Sequence, residues 1–479
     1  MLDAVFCIST AVVFGTALHL YPGNNFYPVG DSAVFVYIGK QMLAGKTPYL
    51  DLFDHKGPVL YLIQQLGLWA TPGSYLGLWI CEVLNMAVSL AFMIQFCRVI
   101  DEHKSNAYSA LLTTFVICAW ATYEGGNFAE EYALPWISMS LWIFFLFFKT
   151  GKIQTWQIIL LGIGFSIVFL LRANMIAVWV SLIPIVIGQF LREKRYSDLI
   201  KCTGLFLLGI LLIAIPMLLW LLHKGCLQEM QTCYFGFNFL YSKANAMNLE
   251  DMLALNKFFF RLLFPGIVAL IFSILVYRHD KLQWINLWYF LVSLMMLEMS
   301  GRDYPHYLII QLPALVIGFL GFFQWSTQLL QNDVNQQNER KLLILLSCFC
   351  LIPAVFGYRQ IKGKVIYPEP KSVDWLIENT EQTDDVLVLG CGVETYLEAN
   401  RTTNNRFFYQ TPPVEISEEL CQLFLKELTL HQPDVVISTI PDGVEGDNWL
   451  TKVYDLLSEQ QYEIIREDDF TAFERPSSH

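Results

Sequence analysis

A polytopic α-helical membrane protein with a small α/β domain at its carboxy end is the fold class this sequence predicts, on three observations. Hydrophobic residues make up 55% of the 479 and charged residues 15%, with a mean hydropathy of +0.44, far from the balance of soluble domains. Apolar runs recur at close to the roughly 20 residues that a helix needs to cross a hydrocarbon core of about 30 Å. After residue 357 the composition turns abruptly polar and acidic.

In chain order the runs fall at 3–20, 76–98, 106–123, 132–148, 156–171, 174–191, 200–222, 258–277, 283–299, 306–326 and 342–357, about eleven spans. The first has neither a basic start nor a small-x-small cleavage site, so it reads as a span and not as a cleaved signal. Short loops that hold Lys and Arg mark the cytoplasmic side. These are the loops with Arg98 and Lys104, Lys149 and Lys152, Arg192, Lys194, Arg195 and Lys201, Arg278 and Lys281, and Arg340 with Lys341. The opposite set, 21–75, 124–131, 223–257 and 300–305, is poorer in basic residues for its length and reads as outward-facing. The amino terminus is then cytoplasmic. The chain divides into a multi-span domain, 1–357, whose first outer loop is 21–75, and an outer soluble domain, 358–479.

In that tail, Val386-Leu387-Val388-Leu389 before Gly390-Cys391-Gly392 reads as a buried strand and turn, Ser417–Leu428 as a helix and 434–438 as a second strand; strand and helix in alternation suggest an α/β layer. Gly390-x-Gly392 lacks the third glycine of a dinucleotide fingerprint, so a tight turn is the simpler reading. Gln328–Arg340, rich in Gln and Asn, reads as a linker.

A net charge of −12 argues against nucleic acid, which is held mainly by Lys and Arg. Of eleven cysteines, Cys7, Cys81, Cys97, Cys118, Cys202, Cys348 and Cys350 lie in or beside apolar runs, where cysteine behaves as a small hydrophobe. Cys226 and Cys233 share an outer loop and are candidates for a disulfide in an oxidising compartment. No spacing has the form of a structural zinc site.

Charge is costly beside lipid, so clusters of it at span ends are candidate functional sites. Asp51, Asp54, His55 and Lys56 fall within six residues, ahead of Gly57-Pro58 and another apolar run. Asp31 opens Ser32–Leu43, which has the periodicity of a short interfacial helix, and N-capping that helix is its structural alternative. Lys56 precedes a helix with proline in its first turn, a place where backbone donors and an ammonium suit a phosphate; snorkelling is the alternative. Glu130 and Glu131 stand directly before a span. Arg172, between two short spans, needs an anion, either an acidic side chain or a substrate phosphate. Arg302, Tyr304 and His306 cluster at another outer span end. A shared outward-facing site accounts for all of these residues together.

Asp31 before a short helix, followed by Gly45-x-x-Pro48-Tyr49-x-Asp51-x-Phe53-Asp54-His55-Lys56-Gly57-Pro58, resembles the GT-C fold membrane glycosyltransferases. The likeness is to the bacterial branch that contains the aminoarabinose transferases of lipid A and, more distantly, to the protein O-mannosyltransferases. Such enzymes pass a sugar from a polyprenyl-phosphate donor to an acceptor on the outer side of the membrane, usually with inversion. The resemblance implies a bacterial inner or plasma membrane, a polyprenyl-phosphate-linked sugar donor, and a glycan, lipid or protein acceptor.

Carried over residue by residue, Asp31 matches the first-loop acid and would be the general base. Glu130 or Glu131 matches the second-loop acid. Lys56 matches the lysine of the Lys-Pro-Pro-type motif and implies donor-phosphate binding, with His55, Arg172 and Arg302 assisting; Asp54, Tyr304 and His306 would contact substrate. Glycine stands here where many relatives have the first proline. No cofactor is demanded, but a divalent metal between Asp31 and Glu130 or Glu131 is implied by those relatives that use one. The rival reading is a flippase or transporter of a lipid-linked sugar, which favours midplane charges and internal repeats; neither stands out here. A sensor or scaffold would leave residues 31–58 unexplained.

Overall fold

In the computed structural model, residues 1–24, 27–333, 371–390, 392–440, 448–467 and 469–476 are described. Helices lie over ten of the expected spans, and the run at 342–357 falls outside the described residues. Among the described residues, five helical segments are long and apolar enough to cross a membrane: Leu76–Ile100, Ala129–Thr150, Tyr196–His223, Leu249–Val276 and Pro305–Leu329. Leu2–Gly15, Thr155–Leu171 and Ala177–Arg192 are apolar but shorter. The run at 106–123 is helix Lys104–Thr114, a π-turn over Phe115–Ala119 and a last helical turn, Trp120–Thr122.

Local chemistry fixes where these helices begin and end. Asn248 accepts the Asp251 N–H at 2.9 Å to cap Leu249–Val276, and Asp280 accepts the Leu282 N–H at 2.9 Å to cap Lys281–Glu298. Ala129–Thr150 stops at Gly151, whose φ of +70° and N–H bond to the Phe147 carbonyl (2.7 Å) make a left-handed cap.

The chain forms two compact units. The first comprises 1–23, 79–219 and 245–364. Of the five long segments Pro305–Leu329 is the most buried, with 83% of its most apolar stretch covered; in Tyr196–His223 that share is 17% at the highest mean hydropathy, 2.8, so this helix lies at the periphery of the bundle. Buried polar side chains tie the inner helices together: Asn286 donates to the Ala314 carbonyl at 3.0 Å, Tyr289 to the Ile310 carbonyl at 2.8 Å, and Thr327 to Asn106 at 3.0 Å.

The second unit comprises 24–78, 220–244 and 365–479. Four short strands, β1 (Val386–Leu389), β2 (Val435–Ser438), β3 (Glu463–Arg466) and β4 (Thr471–Glu474), form a sheet of order β1-β2-β4-β3. β1 and β2 are parallel, with Val386 opposite Val435; the other two pairs are antiparallel. The crossover between β1 and β2 carries helix Glu418–His431, capped by Ser417, as the sequence predicted for Ser417–Leu428.

The linear reading placed 21–75 with the membrane domain; 24–78 packs with the tail inside this second unit. Helix Asp31–Leu43 lies against Pro58–Ala70 so closely that a Cβ on Gly39 would meet the Gln64 backbone at 3.0 Å. It is buried on nearly every side and is not an amphipathic helix at an interface. Tyr37 accepts the Thr403 N–H at 3.2 Å and stacks on Phe408 at 4.8 Å. Lys46 donates to the Thr403 carbonyl at 2.5 Å, and Phe53 donates its N–H to the Arg406 carbonyl at 2.9 Å.

Candidate active site

In the second unit, helix Asp31–Leu43 follows Gly30, which takes a φ of +56° and the cap position. Asp31 is therefore the first helical residue, near the positive end of the helix dipole, and not its cap. Helix Pro58–Ala70 starts behind Gly57 with proline at its first position. Lys56, the residue before that cap, is thereby turned inward: its side chain is 8% exposed and its Nζ lies 3.4 Å from Asp31 Oδ2, whose side chain is 43% exposed.

The contact continues inward as a chain. His55 Nε2 lies 3.4 Å from Lys56 Nζ, and His55 Nδ1 lies 3.3 Å from Asp54 Oδ1, a close approach off the line of a hydrogen bond. Buried Asp54 accepts the Tyr61 hydroxyl on Oδ2 and the Tyr409 hydroxyl on Oδ1, both at 2.6 Å. The imidazole stacks on Tyr241 with ring centres 5.8 Å apart, and the Asn238 amide donates to the His55 carbonyl at 2.7 Å. Asp51 accepts the Thr47 N–H at 2.7 Å and so shapes the preceding turn.

Charge follows from these contacts. Burial works to raise the Asp54 pKa, but His55, Lys56 and the Tyr409 hydroxyl outweigh it and hold the carboxyl well below the usual carboxylate range. Burial and the neighbouring Lys56 push the His55 imidazole below its ordinary 6.5, against the pull of Asp54. A neutral imidazole beside Lys56 can offer one ring nitrogen as an acceptor to the ammonium.

The other predicted residues belong to the first unit. Glu130 and Glu131 are in the first turn of Ala129–Thr150, which begins three residues ahead of the expected span at 132–148, and they diverge. Glu130, 2% exposed, accepts a hydrogen bond from Arg172, 14% exposed, and the Arg172 guanidinium also lies 3.9 Å over the Tyr307 ring. Glu131 turns inward: its Oε2 accepts the Asn127 N–H at 2.9 Å, and it lies near the fully buried Glu82. His306 stacks on Phe128 at 4.1 Å and sits 2.8 Å from Glu124 Oε2 through Nδ1. The Tyr304 ring lies 5.5 Å from that of His306, and Arg302 is half-buried in the connection after Lys281–Glu298.

Thus the structure joins Asp31, Asp54, His55 and Lys56 in one chain of contacts in the second unit, and Glu130 with Arg172 in the first. It adds Tyr61, Tyr409, Glu124 and Tyr307, which the sequence reading passed over. Three of these are tyrosines in apolar settings, and Tyr409 is 355 residues from its partner Asp54, so spacing carried no signal. Cys226 and Cys233 are buried free thiols, not a disulfide.

The groups expected to hold a divalent metal fit it poorly. Asp31 faces Lys56, and Glu130 faces Arg172; among the described residues no three His, Cys, Asp or Glu side chains lie together as a metal site. No catalytic step is therefore routed through a metal.

The fold aligns over 99% of the chain with 98% of a crystal structure of ArnT from Cupriavidus metallidurans bound to undecaprenyl phosphate, at a TM-score of 0.69 and 11% identity. The apo ArnT structure from the same organism aligns with 99% of this chain over 97% of its own, at a TM-score of 0.64 and 10% identity. The likeness at that identity is one of fold, and the architecture is the GT-C type that the sequence led us to expect, that of an integral membrane protein. No curated protein matches the sequence. The family model described as "Putative competence-induced protein Ccs4 N-terminal domain" matches residues 25–347. As that match spans well over half of its length, the chain belongs to the Ccs4 N-terminal domain family.

Proposed function

We propose that the protein is a membrane glycosyltransferase that moves a sugar from a polyprenyl-phosphate donor to a glycan, lipid or protein acceptor on the extracytoplasmic face, with inversion. In this reading the amino terminus is cytoplasmic and the tail extracytoplasmic. The observation that carries it is the pairing of a buried lysine at a helix start with a half-exposed aspartate 3.4 Å away. The solved ArnT bound to undecaprenyl phosphate shares the fold and supports a lipid-phosphate ligand.

Lys56 holds the donor phosphate, and His55, backed by Asp54, fixes where the ammonium sits. Arrival of the phosphate draws that ammonium away from Asp31 and leaves the carboxylate free to take a proton. Asp31 removes the acceptor proton as the acceptor atom bonds to the anomeric carbon, and the bond from that carbon to the phosphate oxygen breaks. The leaving polyprenyl phosphate keeps the electron pair, neutralised by Lys56. Within the first unit, Glu130 acts by orienting Arg172.

The full chain in lipid, supplied with polyprenyl-phosphate sugars, tests this by release of free polyprenyl phosphate. Asp31→Asn should lower turnover by roughly 100-fold or more, and Lys56→Ala should weaken donor binding. Full turnover in Asp31→Asn would remove it as the base. Sugar crossing a liposome bilayer without cleavage of its lipid phosphate would replace the enzyme with a flippase.

A further inference from the structure

A second place in the molecule combines an apolar slot with positive charge. Helices Thr155–Leu171 and Tyr196–His223 touch where Gly162 meets Gly209: a Cβ on Gly162 would lie 2.1 Å from the Phe206 carbonyl oxygen, and one on Gly209 2.2 Å from that of Ile159. Only glycine permits so close a crossing. On the side of the crossing nearer Thr155 and Tyr196, Ala177–Arg192 lines the fork and leaves a cavity of about 190 Å³, walled by Phe147, Leu161, Val186, Leu199 and Phe206 among others. Its lining is almost wholly apolar.

This slot is continuous with a larger and more polar cavity of about 580 Å³, since Ile153, Ile158, Phe190 and Cys202 line both. The polar cavity carries Lys152, Arg195 and Lys201 against one acid, Asp198. Arg195 is already committed to Asp198 at 2.8 Å and Glu193 at 3.2 Å, which leaves Lys152 and Lys201, both exposed, as the charges on offer. From Gly162 to the rim at Thr155 the helix rises about 10 Å, and beyond the slot the peripheral face of Tyr196–His223 continues as an apolar path.

We propose that this fork binds one anionic phospholipid, with its phosphate on Lys152 and Lys201 and the upper part of an acyl chain in the apolar slot. A soluble anion would leave the slot unused, and a zwitterionic headgroup would bring no net charge to the lysines. The site lies among the basic loops that mark the cytoplasmic side, where anionic lipids attract juxtamembrane Lys and Arg. It is independent of the glycosyltransferase reading.

The test uses the full chain in nanodiscs of equal phosphatidylglycerol and phosphatidylcholine, with retained lipid read by native mass spectrometry. Wild type should keep one phosphatidylglycerol in preference to phosphatidylcholine. Lys152→Gln with Lys201→Gln should cut that preference by roughly ten-fold, and Cys202→Phe, which fills the slot and keeps both lysines, should displace the lipid. Equal retention of both lipids by wild type overturns the proposal. So does retention unchanged by both variants, or displacement of the lipid by glycerophosphate as effectively as by free phosphatidylglycerol.

Discussion

The Asp31–Lys56–His55–Asp54 chain and the Glu130–Arg172 pair both place charge in largely apolar surroundings, and they are held in opposite ways. Glu130 and Arg172 are mutually hydrogen-bonded, both nearly sealed from solvent, and the guanidinium is further covered by Tyr307. In the other cluster the contacts are looser, 3.3 to 3.4 Å along the chain, and its outer end, Asp31, stays 43% exposed. A closed, satisfied pair has little left to offer a substrate. A half-exposed carboxylate 3.4 Å from a buried lysine can exchange that long contact for a ligand, which is why Asp31 carries the proposed chemistry and Glu130 serves to hold Arg172.

This contrast can be broken by stability measurements in detergent. Glu130→Ala leaves Arg172 charged and buried and should cost about 3–5 kcal/mol, whereas Asp31→Asn, at an exposed contact, should stay within about 1 kcal/mol. Equal costs would mean that the two clusters do the same structural work. Tyr409→Phe removes one hydroxyl from the buried Asp54 carboxylate and should cost about 1.5–3 kcal/mol; an unchanged unfolding midpoint would show that the tail does not support the loop through this bond.

The smallest effect sharpens the role of His55. Its pKa in the fold lies below 6.5, so the folded state favours the neutral ring. Its contribution is complete above pH 6.5 and is lost as pH falls through the lower folded value. Affinity for undecaprenyl phosphate should therefore fall at acid pH more steeply in wild type than in His55→Gln, whose amide keeps an acceptor but does not titrate. The phosphate's own titration is common to both, so the ratio is the readout. Parallel profiles would remove His55 from the support of Lys56.

Much of this was legible in the sequence because lipid makes composition decisive. Apolar runs such as 132–148 and 200–222 have one stable form in a bilayer, and observed helices Ala129–Thr150 and Tyr196–His223 cover them. The charged segment 51–56 stood out for the same reason. Partners did not. Nothing in the spacing of Glu130 and Glu131 tells that one turns to Arg172 and the other toward Glu82, because adjacent helical residues point about 100° apart and the neighbours on each side come from distant chain.

The sequence by itself determined the membrane class, the approximate helices, the α/β character of the tail and the residues that carry unusual charge, since each follows from local periodicity or from the cost of charge beside lipid. Only the tertiary structure decided that residues 24–78 share a compact unit with the tail, that Tyr409 closes on Asp54, and that Lys56 turns inward to Asp31. Those facts depend on contacts between segments hundreds of residues apart, and no local propensity encodes which buried polar group will satisfy which.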